Sequence, residues 1–226
     1  MTRPNVFLFD IDGTLIRTGG AGRRAMVRAF AEVLDAPEAL EGIRLGGMTD
    51  RLILRAAFKN IGRAFSESLE ASVVQRYLAH LDAELLDAPN YRVMPGVYET
   101  LDACEGHGAL GLGTGNVEAG ARRKLEPADL NRRFPFGGFG ERAEVRAQLV
   151  EDGARRGAEH LGMARAEVRV VVIGDTPKDI EAAHASGAEC VAVATGSFGV
   201  DELSAADHAF ESLEATGAVE AILGPS

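Results

Sequence analysis

Residues 5–15, NVFLFDIDGTL, decide the fold. Val6 to Phe9 form a continuous apolar run, which is typical of a strand buried on both faces of a parallel sheet. The run ends in two carboxylates, Asp10 and Asp12, which face the same side if the segment is extended. Their repulsion should raise the pKa of one of them, so we expect an ionised nucleophile beside a protonated general acid. Taken alone, D-x-D-G also fits a surface turn.

Strand and helix patterns alternate along most of the chain. The apolar runs are at 6–10, 109–114, 168–174 and 189–194, and the helical patterns are at 96–106, 116–126, 146–162 and 177–187. This order predicts an α/β fold with an open, parallel, Rossmann-like sheet and helices on both faces. Residues 18–90 show helical spacing and no convincing strand, so we expect an all-helical insertion there. The predicted core therefore comprises residues 1–17 and 91–226.

Composition excludes several classes of function. The formal net charge of −10 disfavours binding to nucleic acid, whose phosphates would be repelled. No apolar run is long enough to span a bilayer, so we expect no membrane association. Two cysteines, Cys104 and Cys190, form no disulfide framework or zinc spacing and favour a cytoplasmic protein. The sequence does not distinguish a monomer from a homodimer.

A second strand also ends in acids. Residues 168–180 read VRVVVIGDTPKDI, so the apolar run ends at Asp175 and Asp179 follows one turn later. Thr176 is suited to cap the helix that begins at Pro177. If the strands are neighbours, their carboxyl ends bring four carboxylates to one edge of the sheet, which is costly without a cation. Oxygen ligands without nitrogen or sulfur partners select Mg²⁺.

The strand at 109–114 ends in a different polar group. The hydroxyl of Thr114 and the amides after it suit a phosphate oxygen at the start of a helix. Gly115 lets the backbone approach a ligand closely. Asn116 fits either a helix N-cap or a ligand contact.

These three motifs in order resemble the haloacid dehalogenase superfamily of aspartate-based phosphohydrolases. They are D-x-D-G-T at 10–14, Thr114, and G-D-x-x-x-D at 174–179. The chain is most similar to the branch of phosphoglycolate phosphatase and β-phosphoglucomutase. The resemblance implies that residues 18–90 are a helical cap domain. It also implies a Mg²⁺-dependent phosphatase that hydrolyses a small phosphorylated metabolite through an aspartyl-phosphate.

The resemblance also implies a role for each motif residue. Asp10 would attack phosphorus, and Asp12 would protonate the leaving alcohol and then activate water. Mg²⁺ would be held by the Asp10 side chain, the Asp12 carbonyl group and Asp175, with Asp179 orienting the metal shell. Thr114 would bind the transferring phosphoryl group, with Gly115 and Asn116 beside it.

One motif of the family is missing. Relatives carry a lysine before the helix that leads to the last acidic motif, whereas residues 136–153, FGGFGERAEVRAQLVEDG, contain none. Lys124, on the helix after Thr114, and Arg146, where the lysine is normally found, are the two candidate replacements. We favour Lys124 slightly, and Arg142 is a third candidate. Each of the first two also fits a surface cation.

The insertion contains candidate specificity residues. Residues 18–26, TGGAGRRAM, suit a hinge, and Arg23 within them is a candidate substrate contact or a solvated helix charge. Residues 44–54, RLGGMTDRLIL, resemble the specificity loop of the family, and Arg51 is the candidate contact there. Thr49 or Asp50 would cap the following helix.

Four other functions compete with a phosphatase, and one of them, a phosphonoacetaldehyde hydrolase, would normally lack the counterpart of Asp12. A phosphomutase of the β-phosphoglucomutase type would use the same residues and return the phosphoryl group to the sugar. A phosphate-binding regulator with weak catalysis would account for the missing lysine. A 2-haloacid dehalogenase would leave the second acid and the metal cluster unexplained.

Overall fold

The computed structural model describes residues 3–141, 143 and 145–225. The strands are β1 (Asn5–Phe9), β2 (Ile16–Thr18), β3 (Tyr91–Val93), β4 (Gly108–Gly113), β5 (Phe136–Gly138), β6 (Arg169–Gly174), β7 (Glu189–Val193) and β8 (His208–Phe210). The helices are α1 (Ala21–Leu34), α2 (Asp50–Asn60), α3 (Glu67–Leu86), α4 (Val97–Cys104), α5 (Glu118–Leu125), α6 (Arg146–His160), α7 (Pro177–Ala185) and α8 (Ala218–Leu223). Short 3₁₀ turns join several of them.

The main sheet has six parallel strands in the order β5-β4-β1-β6-β7-β8. This confirms the predicted α/β class with an open parallel sheet. Strand β1 lies between β4 and β6, and its last residue, Phe9, is level with Leu112 and Ile173. The chain therefore leaves β1, β4 and β6 at one edge of the sheet, where ligands bind in folds of this kind.

Helices cover both faces of the sheet. Phe7 and Phe9 of β1 pack in the core that includes α4 and α5, whereas Val6 and Leu8 pack in the core that includes α6 and α7. All four side chains are fully buried. This explains why the run shows no alternation of apolar and polar residues, since neither face of a central parallel strand meets water.

The sequence patterns missed the edge strands β5 and β8. Each has only three residues, FGG and HAF, and each pairs with one neighbour. Glycines in β5 carry no β propensity, so no local signal distinguishes this strand from a loop.

Helices α1, α2 and α3 form a third cluster, which the chain enters and leaves through strands β2 and β3. The cluster has its own apolar core, in which Phe30, Phe58 and Tyr77 are buried. β2 and β3 form a separate antiparallel pair, with Ile16 opposite Val93. The patterns did not predict this pair. Whether residues 18–90 act as a separate domain stays a prediction.

None of the helices in the described part of the chain is both long enough and apolar enough to cross a membrane.

Gly138 of β5 allows helix α6 to lie directly against the sheet. A methyl group at this position would overlap the carbonyl oxygen of Leu149 in α6. We therefore expect Gly138→Ala to lower the free energy of unfolding by about 3 kcal/mol, because the helix backbone must shift. Urea unfolding measures the change. Gly199→Ala is the control, because its Cβ would meet only the Glu202 carboxylate, at 3.8 Å. Equal stability of the two variants would contradict the expectation.

Candidate active site

The carboxyl ends of β1 and β6 bring three buried acids together. Asp10 follows β1, and its backbone N–H donates to the Ile173 carbonyl oxygen at 2.9 Å. Asp175 follows β6, and Asp179 lies in the first turn of α7. One carboxylate oxygen of each acid lies within 4.8 Å of the others. The structure thus places both predicted acidic strand ends in one crevice.

Asp179 is fixed by the start of its own helix. Thr176 caps α7, as predicted, and its N–H and hydroxyl both donate to Asp179 Oδ2, at 3.1 and 2.7 Å. The other oxygen, Oδ1, is buried and makes no hydrogen bond. It points at Arg146, whose Nη2 lies 2.6 Å away. Thus Oδ2 accepts hydrogen bonds at the start of α7, and Oδ1 lies beside Arg146 in the acid cluster.

Arg146, the first residue of α6, lies between two of the acids. Its Nη2 is 2.6 Å from Asp179 Oδ1 and 3.1 Å from Asp10 Oδ1. Nη1 donates to the carbonyl oxygen of Gly47, at 3.2 Å. The side chain is 9% exposed, so the guanidinium is a buried cation of the site and not a surface charge.

Lys124 lies on the opposite side of the crevice and contacts Asp12. Nζ is 2.6 Å from Asp12 Oδ2 and donates to Asn116 Oδ1 at 2.6 Å. Asn116 Nδ2 donates to Asp12 Oδ2 and to Thr114 Oγ1, at 2.9 and 2.8 Å. Lys124 thus reaches back along α5 into the site. Each candidate cation therefore contacts a different acid: Arg146 contacts Asp10, and Lys124 contacts Asp12.

The pKa values of the two acids of β1 differ in the direction opposite to our expectation. Burial raises the pKa of Asp10 to about 6, against the attraction of Arg146 and with repulsion from Asp179 and Asp12. Partial desolvation also opposes the ionisation of Asp12, whose side chain is 44% exposed, but the Lys124 ammonium and two hydrogen bonds hold the pKa of Asp12 below its ordinary value. The expectation that the second acid holds the proton is therefore wrong for the free protein. Which cation lies beside which acid decides which of the two pKa values is lower.

Asp175 has the most perturbed carboxyl group of the cluster. Burial, together with the charges of Asp10 and Asp179, raises the pKa of Asp175 to about 9. The three acids and Arg146 together carry two net negative charges when every acid is ionised. A buried set of carboxylate oxygens with this residual charge fits a divalent cation that prefers oxygen ligands.

Asn116 does not cap helix α5. The helix begins at Glu118, so Val117 occupies the N-cap position and has no side-chain oxygen to offer. The cap prediction for Asn116 is wrong because the N-cap lies one residue later, at Val117, and the Asn116 side chain contacts Lys124 instead. Asp50 of α2 contacts the same turn, since its Oδ2 accepts the N–H of Val117 itself at 2.8 Å. Burial raises the pKa of Asp50 to about 6, against the attraction of Lys124.

The crevice opens into a cavity of about 470 Å³ between the sheet edge and the helical cluster. The cluster and its connecting strand contribute apolar and polar lining, including Arg17, Met26, Ile53 and Tyr77. Arg17 is braced by the carbonyl oxygens of Thr195 and Gly196. The sequence patterns did not single out Arg17 or Tyr77, since an isolated arginine and a helical tyrosine carry no site signal by themselves.

The other predicted site residues lie at different distances from the cavity. Gly115 and Arg23 line it, but the Arg23 guanidinium donates to the carbonyl oxygens of Leu40 and Ile43, at 2.6 and 3.0 Å. Arg51 instead lies beside Glu70 and donates to the Glu141 carbonyl oxygen at 3.4 Å. Arg142 lies outside the described residues.

A comparison with protein families decides the classification. The family of haloacid dehalogenase-like hydrolases matches residues 4–187. The chain belongs to this family. The match confirms the resemblance that the three motifs predicted, and it makes the chain an enzyme of the hydrolase class.

Three known proteins illustrate what the chain is similar to. A phosphoglycolate phosphatase of Rhodospirillum rubrum is 28% identical over 203 residues, which cover 85% of this chain and 80% of that protein. A predicted phosphoglycolate phosphatase from Haemophilus somnus has a similar fold, with a TM-score of 0.66, 18% identity and coverage of 94% of this chain and 96% of that chain. A predicted phosphatase from Clostridium acetobutylicum gives a TM-score of 0.68 at 19% identity, with 99% of each chain covered.

Proposed function

We propose that the protein is a Mg²⁺-dependent phosphatase that hydrolyses a small phosphorylated metabolite through an aspartyl-phosphate. The observation that carries the proposal is the pairing at the end of β1. Asp10 lies in the acid cluster with Arg146, and Asp12 lies with Lys124. This arrangement provides a nucleophile beside a cation site and an acid–base group aimed at the same cavity. The relative from Rhodospirillum rubrum is named a phosphoglycolate phosphatase, which supports the reaction class.

The first step transfers the phosphoryl group to the enzyme. A carboxylate oxygen of Asp10 attacks phosphorus, and the bond from phosphorus to the ester oxygen breaks. Asp12 gives its proton to that oxygen, so that an alcohol leaves. In the second step Asp12 takes a proton from water, the water oxygen attacks phosphorus, and the bond from phosphorus to Asp10 breaks. Asp12 then releases this proton to solvent as inorganic phosphate leaves, which restores the original enzyme with Asp12 ionised.

Substrate binding reconciles this scheme with the pKa values. Lys124 keeps Asp12 ionised in the free protein. A phosphate dianion beside Asp12 would compete for Lys124 and raise the pKa of Asp12, because a like charge disfavours ionisation. Asp12 would then carry the proton only while substrate is bound.

The metal would be held by side-chain oxygens of Asp10 and Asp175 and by the carbonyl group of Asp12, with Asp179 orienting the metal shell. When bound, Mg²⁺ would neutralise the charge that develops on the phosphoryl group. It would also lower the raised pKa of Asp10, so that the nucleophile is ionised. Arg146 supplies the remaining positive charge on that side. Thr114 would bind the phosphoryl oxygens, with Gly115 and Asn116 beside it.

Residues 18–90 would act as the cap that covers the cavity during turnover. The two antiparallel strands β2 and β3 are the two connections to the core, and they suit a hinge. In this arrangement Arg23 stiffens the cavity wall, and Arg51 would reach substrate only if the cluster moved. We propose a cytoplasmic enzyme that binds neither nucleic acid nor membranes, as a monomer or homodimer.

A substrate panel tests the proposed function. Purified protein is incubated with p-nitrophenyl phosphate, phosphoglycolate, sugar phosphates and nucleotides, and released phosphate is measured. We expect phosphate release from at least one ester. Isomerisation of a sugar phosphate without release would establish the phosphomutase instead. No turnover of any ester would favour the regulator.

Metal removal gives a second prediction. Chelation of divalent cations by EDTA should abolish phosphate release, and added Mg²⁺ should restore it. Asp175→Asn should raise the Mg²⁺ concentration for half-maximal activity at least about tenfold, because it removes a charged ligand. Titration calorimetry of Mg²⁺ measures the same loss without turnover. Asp201→Asn, at an exposed acid of a 3₁₀ turn, is the control. Full activity in EDTA would contradict the metal requirement.

A further inference from the structure

One loop of the helical cluster touches two separate parts of the core. We call residues 46–50, GGMTD, the clasp loop. The Gly47 carbonyl oxygen accepts from Arg146, at 3.2 Å. The Thr49 hydroxyl donates to the Ala143 carbonyl oxygen at 3.0 Å, and the Asp50 N–H donates to the Gly115 carbonyl oxygen at 2.7 Å. The clasp loop therefore meets both the segment around Arg146 and the turn that follows β4.

The turn after β4 and the clasp loop touch backbone to backbone. A methyl group on Gly115 would overlap the carbonyl oxygen of Met48 and lie 3.0 Å from Thr49 Cα. There is no room for a side chain between the two segments. Their hydrogen bonds therefore form only when the helical cluster is seated on the core.

Asp50 holds both ends of this turn. Its N–H binds the Gly115 carbonyl oxygen, and its carboxylate accepts the Val117 N–H at 2.8 Å. Val117 is the N-cap residue of α5, and its own N–H is held by this carboxylate, so the position at which α5 begins depends on a residue of another segment. Asp50 is 7% exposed, so this hydrogen bond is sheltered from water.

Helix α5 carries Lys124, and the turn carries Thr114 and Asn116. Asn116 N–H lies 3.4 Å from Thr114 Oγ1, and the Asn116 side chain contacts both Thr114 and Lys124. A displacement of the Gly115–Val117 backbone would therefore displace the groups that contact Asp12. These groups form one connected network, and Asp50 anchors it from outside the core sheet.

We infer that Asp50 is a positioning residue that couples the seating of the helical cluster to the assembly of the phosphate-binding turn. It acts through the Gly115–Val117 backbone and through Lys124, and not by contact with the reacting atoms. When the cluster lifts away, the turn loses both hydrogen bonds to Asp50. The site is then complete only while the cavity is covered. The role in turnover rests on the proposed function, whereas the coupling itself does not.

Amide hydrogen exchange in the full-length protein tests the coupling directly. We expect the Val117 amide, measured by NMR, to exchange at least about tenfold faster in Asp50→Ala than in the wild type, because a buried hydrogen bond is lost. Asp50→Asn should fall between them, since its side-chain oxygen still accepts a hydrogen bond. Asp87→Asn, at an exposed acid of the same cluster, should match the wild type.

Kinetics give the second measurement. For Asp50→Ala we expect kcat/KM for p-nitrophenyl phosphate to fall about tenfold, with the Mg²⁺ concentration for half-maximal activity unchanged. Binding of inorganic phosphate should weaken in parallel. Asp50→Asn should recover part of both. A loss of kcat/KM and phosphate affinity without a change in the Mg²⁺ requirement indicates a positioning role. General damage to the site would change the Mg²⁺ requirement as well.

Two results would overturn the inference. One is wild-type exchange at Val117 in Asp50→Ala. The other is faster exchange spread equally through β1 and β4, which would mean a loss of overall stability. If Asp50→Ala does not fold, Asp50→Asn decides by the same two measurements. A wild-type protein that hydrolyses no ester would remove the proposed function, while Val117 exchange and phosphate binding would still decide the coupling.

Discussion

Asp10→Asn should lower the turnover of a phosphomonoester by at least about 10⁴-fold. The amide oxygen of asparagine is a poor nucleophile, so no phosphoryl group would reach the enzyme. The change keeps the shape of the side chain beside Arg146, which lies 3.1 Å from Asp10 Oδ1. Initial rates with p-nitrophenyl phosphate at saturating Mg²⁺ measure the loss. Residual activity within tenfold of the wild type would refute the role of Asp10.

The loss should not come from unfolding. The pKa of Asp10 is raised to about 6 in the folded protein without metal, so at pH 7 its ionisation opposes folding. A neutral asparagine removes this cost, and we expect the metal-free variant to unfold at the same temperature as the wild type or higher. This check uses thermal unfolding in EDTA at pH 7. A lower melting temperature would leave the kinetic loss without its proposed cause.

The sequence predicted the parts of the site that are local to a strand end. The buried run before Asp10, the run before Asp175 and the cap of α7 each carry their own signal within a few residues. Adjacent parallel strands then bring Asp10 and Asp175 together without further information, because the order of the chain limits the sheet topology. Thr114 was predicted on the same basis.

Contacts that cross between distant segments could not be predicted. Asp50 carries the signature of a helix start, yet its carboxylate accepts the N–H of Val117, which is 67 residues away at the start of another helix. The reversed pKa order of Asp10 and Asp12 likewise depends on which cation faces which acid. Spacing places Lys124 and Arg146 on helices but does not orient them. The strand β5 was missed for the same reason, since only its neighbours make FGG a strand.

Lys124→Ala should lower kcat/KM by about 10²- to 10³-fold. Although burial opposes its charge, Asp12, Tyr77 and Asp50 raise the pKa of Lys124, so the amine is charged throughout the physiological range. Its side chain is 7% exposed and is held by Asp12 and Asn116. Removal would leave Asp12 without its cation and the phosphoryl oxygens without a partner. Steady-state kinetics with p-nitrophenyl phosphate measure the loss.

Arg123→Ala is the matched control, because Arg123 immediately precedes Lys124 in α5 and pairs with Asp82 of α3, whose side chain is 55% exposed. We expect it to retain wild-type rates. If Lys124→Ala also retained them, Lys124 would be only a structural cation, and Arg146 alone would replace the missing lysine of the family.

Arg146→Ala separates the two roles, since it removes a positive charge from between Asp10 and Asp179. We expect Arg146→Ala to lose activity and to bind Mg²⁺ more tightly, whereas Lys124→Ala should leave the Mg²⁺ affinity unchanged. Under the proposed function the two cations would therefore differ in what they neutralise: Arg146 would balance the metal site, and Lys124 would balance the acid–base group and the phosphoryl oxygens.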